Sequence, residues 1–202
     1  GIAGLYHFTT NNGVLGVLGS GALKSRKRLP EDSLLEFIIT YNAAERKYDK
    51  DWLDYINLSV GRINSEFFSY CSKWHADVWW CVLELDVELL EHEGVYFSTT
   101  NNIYPSAKRN VGARGLELIF DDVVFGRYSK RIVRPTDHAK CYPTDVQAEV
   151  LYPGKIPLSY LKRIIVSEED QQDTIIIQQE TLGINPKIEV DVDPTFLPAV
   201  AR

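Results

Sequence analysis

In the run Gln147-Ala148-Glu149-Val150-Leu151-Tyr152 a polar opening gives way to apolar, β-prone residues, and Pro153-Gly154 turns the chain. Period-two alternation predicts a strand with Gln147 and Glu149 on one face and Ala148 on the other. A carboxylate at the mouth of such a strand is poorly placed for a casual surface charge, although on spacing alone a structural or solvated role for Glu149 outweighs a catalytic one. Downstream, Ile156-Pro157-Leu158-Ser159-Tyr160 predicts a proline-led turn into a second strand, Lys162 to Val166. Glu168 to Leu182 predicts a helix whose first turn is acidic, as the helix dipole favours, and Gly183 ends it. Lys187 to Val192 is the last predicted strand.

Upstream, Leu5-Tyr6-His7-Phe8-Thr9 predicts a strand, and Thr10-Asn11-Asn12-Gly13 supplies N-cap chemistry for a short, asparagine-capped helix carrying Val14, Leu15, Val17 and Leu18. Pro30 to Arg46 predicts a second helix, with Leu34, Leu35, Phe37, Ile38 and Tyr41 as its apolar stripe. Strands are predicted over Asp54 to Val60, over Val78 to Asp86 as a central strand, and over Val95 to Ser98. Residues 101–146 read as irregular, with one helical island at Leu116 to Phe120. Compact domains rarely keep such a stretch without a use, so substrate contacts are expected there. Strands with few helices, lacking both regular βαβ alternation and a glycine-rich nucleotide fingerprint, predict an α+β fold.

The 202 residues, 45% hydrophobic and 25% charged, suit one domain spanning 1–202. No apolar run reaches the length of a membrane span and no secretory leader opens the chain, so a cytoplasmic protein without membrane contact is expected. No methionine occurs, so Gly1 is not expected to be the translation start. Cys71, Cys81 and Cys141 form an odd set without metal-ligand spacing, which predicts reduced thiols and no metal.

The formal charge of −6 is uneven. Residues 167–202 carry eight acidic side chains against two basic ones, whereas residues 101–166 carry eleven Lys and Arg against six Asp and Glu. An acidic protein can therefore bind a polyanion locally, through Lys108, Arg109, Arg114, Arg127, Lys130, Arg131 and Arg134, with Tyr104 or Trp74 stacking on an unpaired base. The plain alternative for each cation is a solvated surface charge. His7, between Tyr6 and Phe8, reads on its own as a core histidine. P-loop, GxSxG, HExxH and cysteine–histidine nucleophile signatures are all absent from the sequence.

Together, Leu5 to Thr9 with its capped helix, Asp54-Tyr55-Ile56 opening a strand, and the Gln147 to Val166 block resemble the DarT family of DNA ADP-ribosyltransferase toxins, over most of the chain and in order. Gln147-Ala148-Glu149 also resembles the Gln-x-Glu signature of many ADP-ribosyltransferases. The resemblance implies a split-sheet, NAD-binding α+β core with short flanking helices, and transfer of ADP-ribose from NAD to a base of single-stranded DNA with release of nicotinamide. It further implies an antitoxin that reverses the modification.

By the same resemblance Glu149 matches the catalytic glutamate and Arg46 the arginine that holds the pyrophosphate. His7, Phe8, Thr9, Asn12 and Ser59 fall in NAD-cradling segments, and Gln147, Arg62, Arg109, Arg114 and Tyr104 on the DNA side. The chain departs from the family at Thr10, where many members have histidine, and at Asn64-Ser65-Glu66, where many have Pro-Met. Its Leu58-Ser59 pair replaces the aromatic cluster of thymine-directed members, which points toward the guanine-directed subgroup. Two other readings stand beside this one: an NAD-dependent transferase acting on RNA or protein, and a non-catalytic nucleic-acid-binding module using residues 101–146.

Overall fold

The structure is a computed structural model describing residues 1–31, 50–74 and 78–197. Its strands are β1 (Leu5–Thr10), β2 (Ala22–Lys24), β3 (Tyr55–Val60), β4 (Trp80–Leu85), β5 (Tyr96–Ser98), β6 (Arg109–Val111), β7 (Val123–Phe125), β8 (Arg131–Val133), β9 (Glu149–Pro153), β10 (Lys155–Pro157), β11 (Leu161–Val166) and β12 (Glu189–Val192). Its α-helices are α1 (Asn11–Ser20), α2 (Ser65–Trp74), α3 (Gly112–Leu118) and α4 (Glu169–Thr181). Eight strands form one sheet in the order β12-β11-β4-β1-β3-β9-β5-β6, while β2 pairs with β10 and β7 with β8. This is the α+β architecture expected from the sequence. No helix among the described residues is long and apolar enough to cross a membrane.

Alternation along the strands builds two cores, because successive side chains leave a strand on opposite faces. Leu5, Leu83, Leu85 and Ile164 pack with Val14, Val17 and Leu18 of α1 and Ile175 of α4. On the other face Tyr6, Val82 and Ile165 meet Phe68 and Cys71 of α2. β4, between β11 and β1, is the interior strand that its branched and aromatic composition predicted.

The sheet is split between β1 and β3. β1 pairs with β4 along its whole length, Leu5 to Thr10, but with β3 only at Leu5↔Val60 and Tyr6↔Ser59. β3 turns its remaining residues to β9, from Tyr55↔Pro153 to Leu58↔Val150. Where the ladder stops, the ring of His7 takes over, its Nδ1 lying 3.0 Å from the Asn57 carbonyl oxygen.

Several expectations need correction. The cap of α1 is Thr10, whose side chain accepts from the Gly13 N–H, rather than an asparagine. Residues 26–31 form a 3-10 turn, and the rest of the helix expected from Pro30 to Arg46 lies outside the described residues. The 101–146 stretch is not irregular: it holds β6, α3, β7 and β8. α3 begins earlier than the Leu116 island because Gly112, at φ +62°, and the close-packed Gly115 admit a turn that side chains would block. Gln147 precedes β9 instead of opening it, since Asp145 holds the Gln147 and Ala148 amides in a turn.

Candidate active site

Glu149, the first residue of β9, sits at the end of the split. One step beyond the Leu58↔Val150 pair, the register of β3 and β9 brings Ser59 beside Glu149, and Ser59 is also the first residue of β3 paired to β1. On its other side Glu149 is the partner of Ser98, which is the partner of Arg109. A single row across the sheet thus runs from Arg109 through Ser98 and Glu149 to Ser59 and Tyr6.

The carboxylate is aimed by a backbone donor. The N–H of Asn102 donates to Glu149 Oε2 at 2.7 Å. Asn102 is itself buried, and the Arg109 guanidinium donates to both its side-chain and its main-chain oxygen. A third Arg109 nitrogen donates to the Ala107 carbonyl at 3.3 Å, and the group lies 5.5 Å from the centre of the Trp52 ring. Arg109 therefore spends its donors on the 102–107 loop, not on the surface where a phosphate contact was expected.

Gln147 is held on the same side. Tyr104 donates its hydroxyl to Gln147 Oε1 at 3.1 Å, so its phenol serves to orient that amide. Burial, and the nearby charges of Asp145, Glu149 and Glu66, push the Tyr104 hydroxyl pKa up against a lowering by Arg127. The phenol thus stays a protonated donor at neutral pH. Asp145, 4% exposed, accepts the Gln147 N–H on Oδ1 at 2.9 Å and the Ala148 N–H on its carbonyl at 3.0 Å. Glu66, in the first turn of α2, lies 3.5 Å from the Gln147 amide nitrogen.

On the β1 side, the carbonyl acceptor at Nδ1 puts a His7 proton there. Thr9 is buried against the start of α1: a Cβ on Gly13 would come within 1.9 Å of Thr9 Oγ1. Asn12 is exposed in the first turn of α1, next to the split. Phe8 shares the face of Tyr6, packing edge-on against Phe68 and Trp80 and tilted against Phe67.

Arg62 is exposed just beyond Gly61, with its guanidinium 4.7 Å from the Tyr142 ring centre, and Arg114 is exposed on α3. Arg134, expected at the surface, donates to the carbonyls of Tyr142 and Ala139 and to Thr144 Oγ1, and so braces the loop that leads to Glu149. Arg46 lies outside the described residues. Among the described residues no group of His, Cys, Asp and Glu is arranged to hold a metal.

Asn102, Ser98, Glu66 and Asp145 were missed by sequence reasoning. Only Glu66 had a visible signal: Asn64-Ser65-Glu66 is an N-cap start, and Asn64 Oδ1 does accept the Phe67 N–H.

A model of the family described as "ssDNA thymidine ADP-ribosyltransferase, DarT" matches residues 6–196. Thermus sp. 2.9 DarT in complex with ADP-ribosylated ssDNA matches with a TM-score of 0.66 at 13% identity, over 96% of each chain. The same protein in complex with NAD+ matches at 0.65 and 13%, over 96% of this chain and 97% of that one. Thermosipho africanus DarTG in complex with ADP-ribose matches at 0.64 and 14%, over 96% of this chain and 50% of that one. No match was found among the curated protein sequences.

Proposed function

The chain belongs to the DarT family of NAD-dependent single-stranded-DNA ADP-ribosyltransferases, and we propose that Glu149 is the residue on which its transfer chemistry turns. The observation that carries this reading is the 2.7 Å bond from the Asn102 N–H to Glu149 Oε2, which fixes one carboxylate oxygen at the end of the β1–β3 split.

Cleavage of the bond between ribose C1′ and the nicotinamide nitrogen sends the electron pair to nicotinamide and leaves positive charge on the ribose. A preoriented carboxylate lowers that barrier electrostatically, because it is in place before the charge develops. A base nitrogen then forms its bond to C1′ and gives up a proton, for which Glu149 is the acceptor. Gln147 is neutral and both donates and accepts, so it orients a base edge without adding a second charge.

His7 is the residue proposed to hydrogen-bond a ribose hydroxyl of NAD. Phe8, Thr9, Asn12 and Ser59 are the further residues proposed to cradle NAD, and Arg46 is the proposed clamp on the pyrophosphate, where a planar cation makes paired contacts. Arg62 and Arg114 are the exposed cations proposed for the DNA backbone. An antitoxin that removes the modification is the proposed partner, and the cytoplasm, where cellular DNA and NAD meet, is the proposed location.

Target base is the point where two signals part. The family description names thymidine, whereas Leu58-Ser59 in β3 lacks an aromatic platform. Intact-mass spectrometry of a short single-stranded DNA containing all four bases, incubated with NAD and the protein, tests both matters. One added ADP-ribose is expected, and fragmentation names the base. Absence of an adduct from folded protein overturns the DNA reading in favour of RNA or protein targets.

A further inference from the structure

The hairpin of β7 and β8 carries an unusual tip. Lys130 donates its N–H to the Arg127 carbonyl at 3.1 Å, closing a turn whose central residues are Tyr128, at φ 56° and ψ 30°, and Ser129, at φ 57°. Positive φ at both central residues is the mark of a type I′ turn, which strongly favours Asn-Gly. Tyrosine there is conformationally disfavoured, and strain of this kind persists where the surrounding structure imposes it and clusters at functional positions.

The ring gains nothing from the fold that would explain it. Tyr128 is 86% exposed, the most exposed of the large hydrophobic side chains described. Among the described residues its ring meets the Arg127 guanidinium, 4.8 Å from the centroid. Lys130 and Arg131 flank it, both exposed, and Phe125 and Val133 continue an apolar strip down the outer face of the hairpin. Its acidic neighbours, Asp121 and Asp122, lie at the far end, before β7.

The tip is also fastened to the candidate active site. Ser106 donates to the Gly126 carbonyl at 2.6 Å, tying the hairpin to the loop that presents Asn102 and Tyr104. A Cβ on Gly126 would lie 3.2 Å from Asp145 Oδ2, and Asp145 is the residue that positions Gln147.

We propose that Tyr128 is a stacking platform for a base of the single-stranded DNA substrate that flanks the modified one, with Arg127, Lys130 and Arg131 holding the adjoining phosphates. This rests on the reading of the chain as a single-stranded-DNA enzyme. An aromatic face beside cations is what an unpaired, flexible strand requires: every base has a π-face, and the phosphates supply the charge complement. Arg127 stacked on one side of the ring holds it out and leaves the other side to the base.

The test compares wild type with Tyr128→Phe, which keeps the platform, and Tyr128→Asn, which removes it while suiting the left-handed backbone. Binding of a fluorescein-labelled single-stranded DNA is read by anisotropy, alongside adduct formation and NAD affinity. Tyr128→Asn is expected to weaken DNA binding by about five- to a hundredfold, the range for one base stack, with NAD affinity unchanged and Tyr128→Phe near wild type. Lys130→Ala and Arg131→Ala are each expected to flatten the salt dependence by about 0.7 in the log–log slope.

DNA binding by Tyr128→Asn within twofold of wild type overturns the proposal, as does preference for the same sequence as RNA. A wild type that binds DNA through Tyr128 yet forms no adduct overturns the proposed activity and leaves the platform standing. A wild type that fails to bind single-stranded DNA overturns the platform.

Discussion

Asn102 holds Glu149 through its backbone: the N–H of the first donates to Oε2 of the second at 2.7 Å, across 47 positions of sequence. The donor belongs to a buried loop residue that Arg109 grips by both oxygens, so the carboxylate is oriented before any substrate arrives. Glu149→Gln keeps the size and one acceptor but removes the charge that opposes the developing cation. Loss of transfer by about a hundredfold or more is expected, the scale for removing one such electrostatic partner, with melting temperature and NAD affinity retained. Adduct mass against time checks it, and turnover near wild type would remove Glu149 from the chemistry.

Arg109 provides a sharper test, because a phosphate contact and a half-buried clamp predict different things. As a clamp, Arg109→Ala frees Asn102 and lets the carboxylate wander. kcat should fall by about ten- to a hundredfold, since small misplacements of a catalytic group cost that much, while KM for DNA holds. Arg109→Lys should not rescue, because one ammonium cannot replace a fork bonded to several oxygens. As a phosphate contact, the same variant would instead raise KM for DNA and flatten its salt dependence by about 0.7.

Gly13 ties the cap of α1 to β1. A side chain there would meet Thr9 Oγ1 at 1.9 Å, so either the helix start or the strand must move. Gly13→Ala is expected to cost about 1–3 kcal/mol of stability, as overpacking does, and to weaken NAD binding more than DNA binding, because the displaced residues border the split. Thermal melting with calorimetric titration of NAD checks this. Equal weakening of both substrates would mean the strain spreads through the sheet.

How much of this was legible beforehand follows from where the information lies. The strand that Glu149 begins was readable because β-prone apolar residues follow it, β3 because its buried residues alternate with half-buried ones, and β4 because branched and aromatic residues fill it. The partner of Glu149 was not readable, since a backbone N–H leaves no trace in residue type. The bonds of Arg109 were not readable for the same reason: its acceptors are mostly main-chain carbonyls, and nothing nearby in sequence announces them. α2 was missed although Asn64 caps it, because Phe67, Phe68 and Cys71 were not recognised as a helical stripe. β6, β7 and β8 are three residues each, too short for alternation to register. Ser59 and Asn12 come near Glu149 or the split only through the register of β3 with β9 and the docking of α1 on β1.

Away from the site, Asp54 supplies a pH test of the frame that carries β3 and β9. Its Oδ1 accepts from Arg28 Nε at 2.7 Å and from the buried Ser25 hydroxyl at 2.7 Å, and Arg28 Nη2 donates to Oδ2 at 3.1 Å. Its own carbonyl accepts the Gly154 N–H at the β9–β10 turn. The Arg28 guanidinium lowers the Asp54 carboxyl to about 2, from an ordinary 3.8. A pKa lower in the folded than in the unfolded state means that the folded protein resists protonation. The contribution is therefore complete above about pH 4 and disappears as pH falls toward 2. With the side chains of Asp54 and Arg28 32% and 40% exposed, solvent screening holds it to about 1 kcal/mol or less. Asp54→Asn should thus melt up to about 2–4 °C below wild type at pH 6, with the gap closing between pH 4 and 2 because wild type then loses the same charge. A gap that stays constant through that range would assign the effect to packing around Ser25 and not to the ion pair.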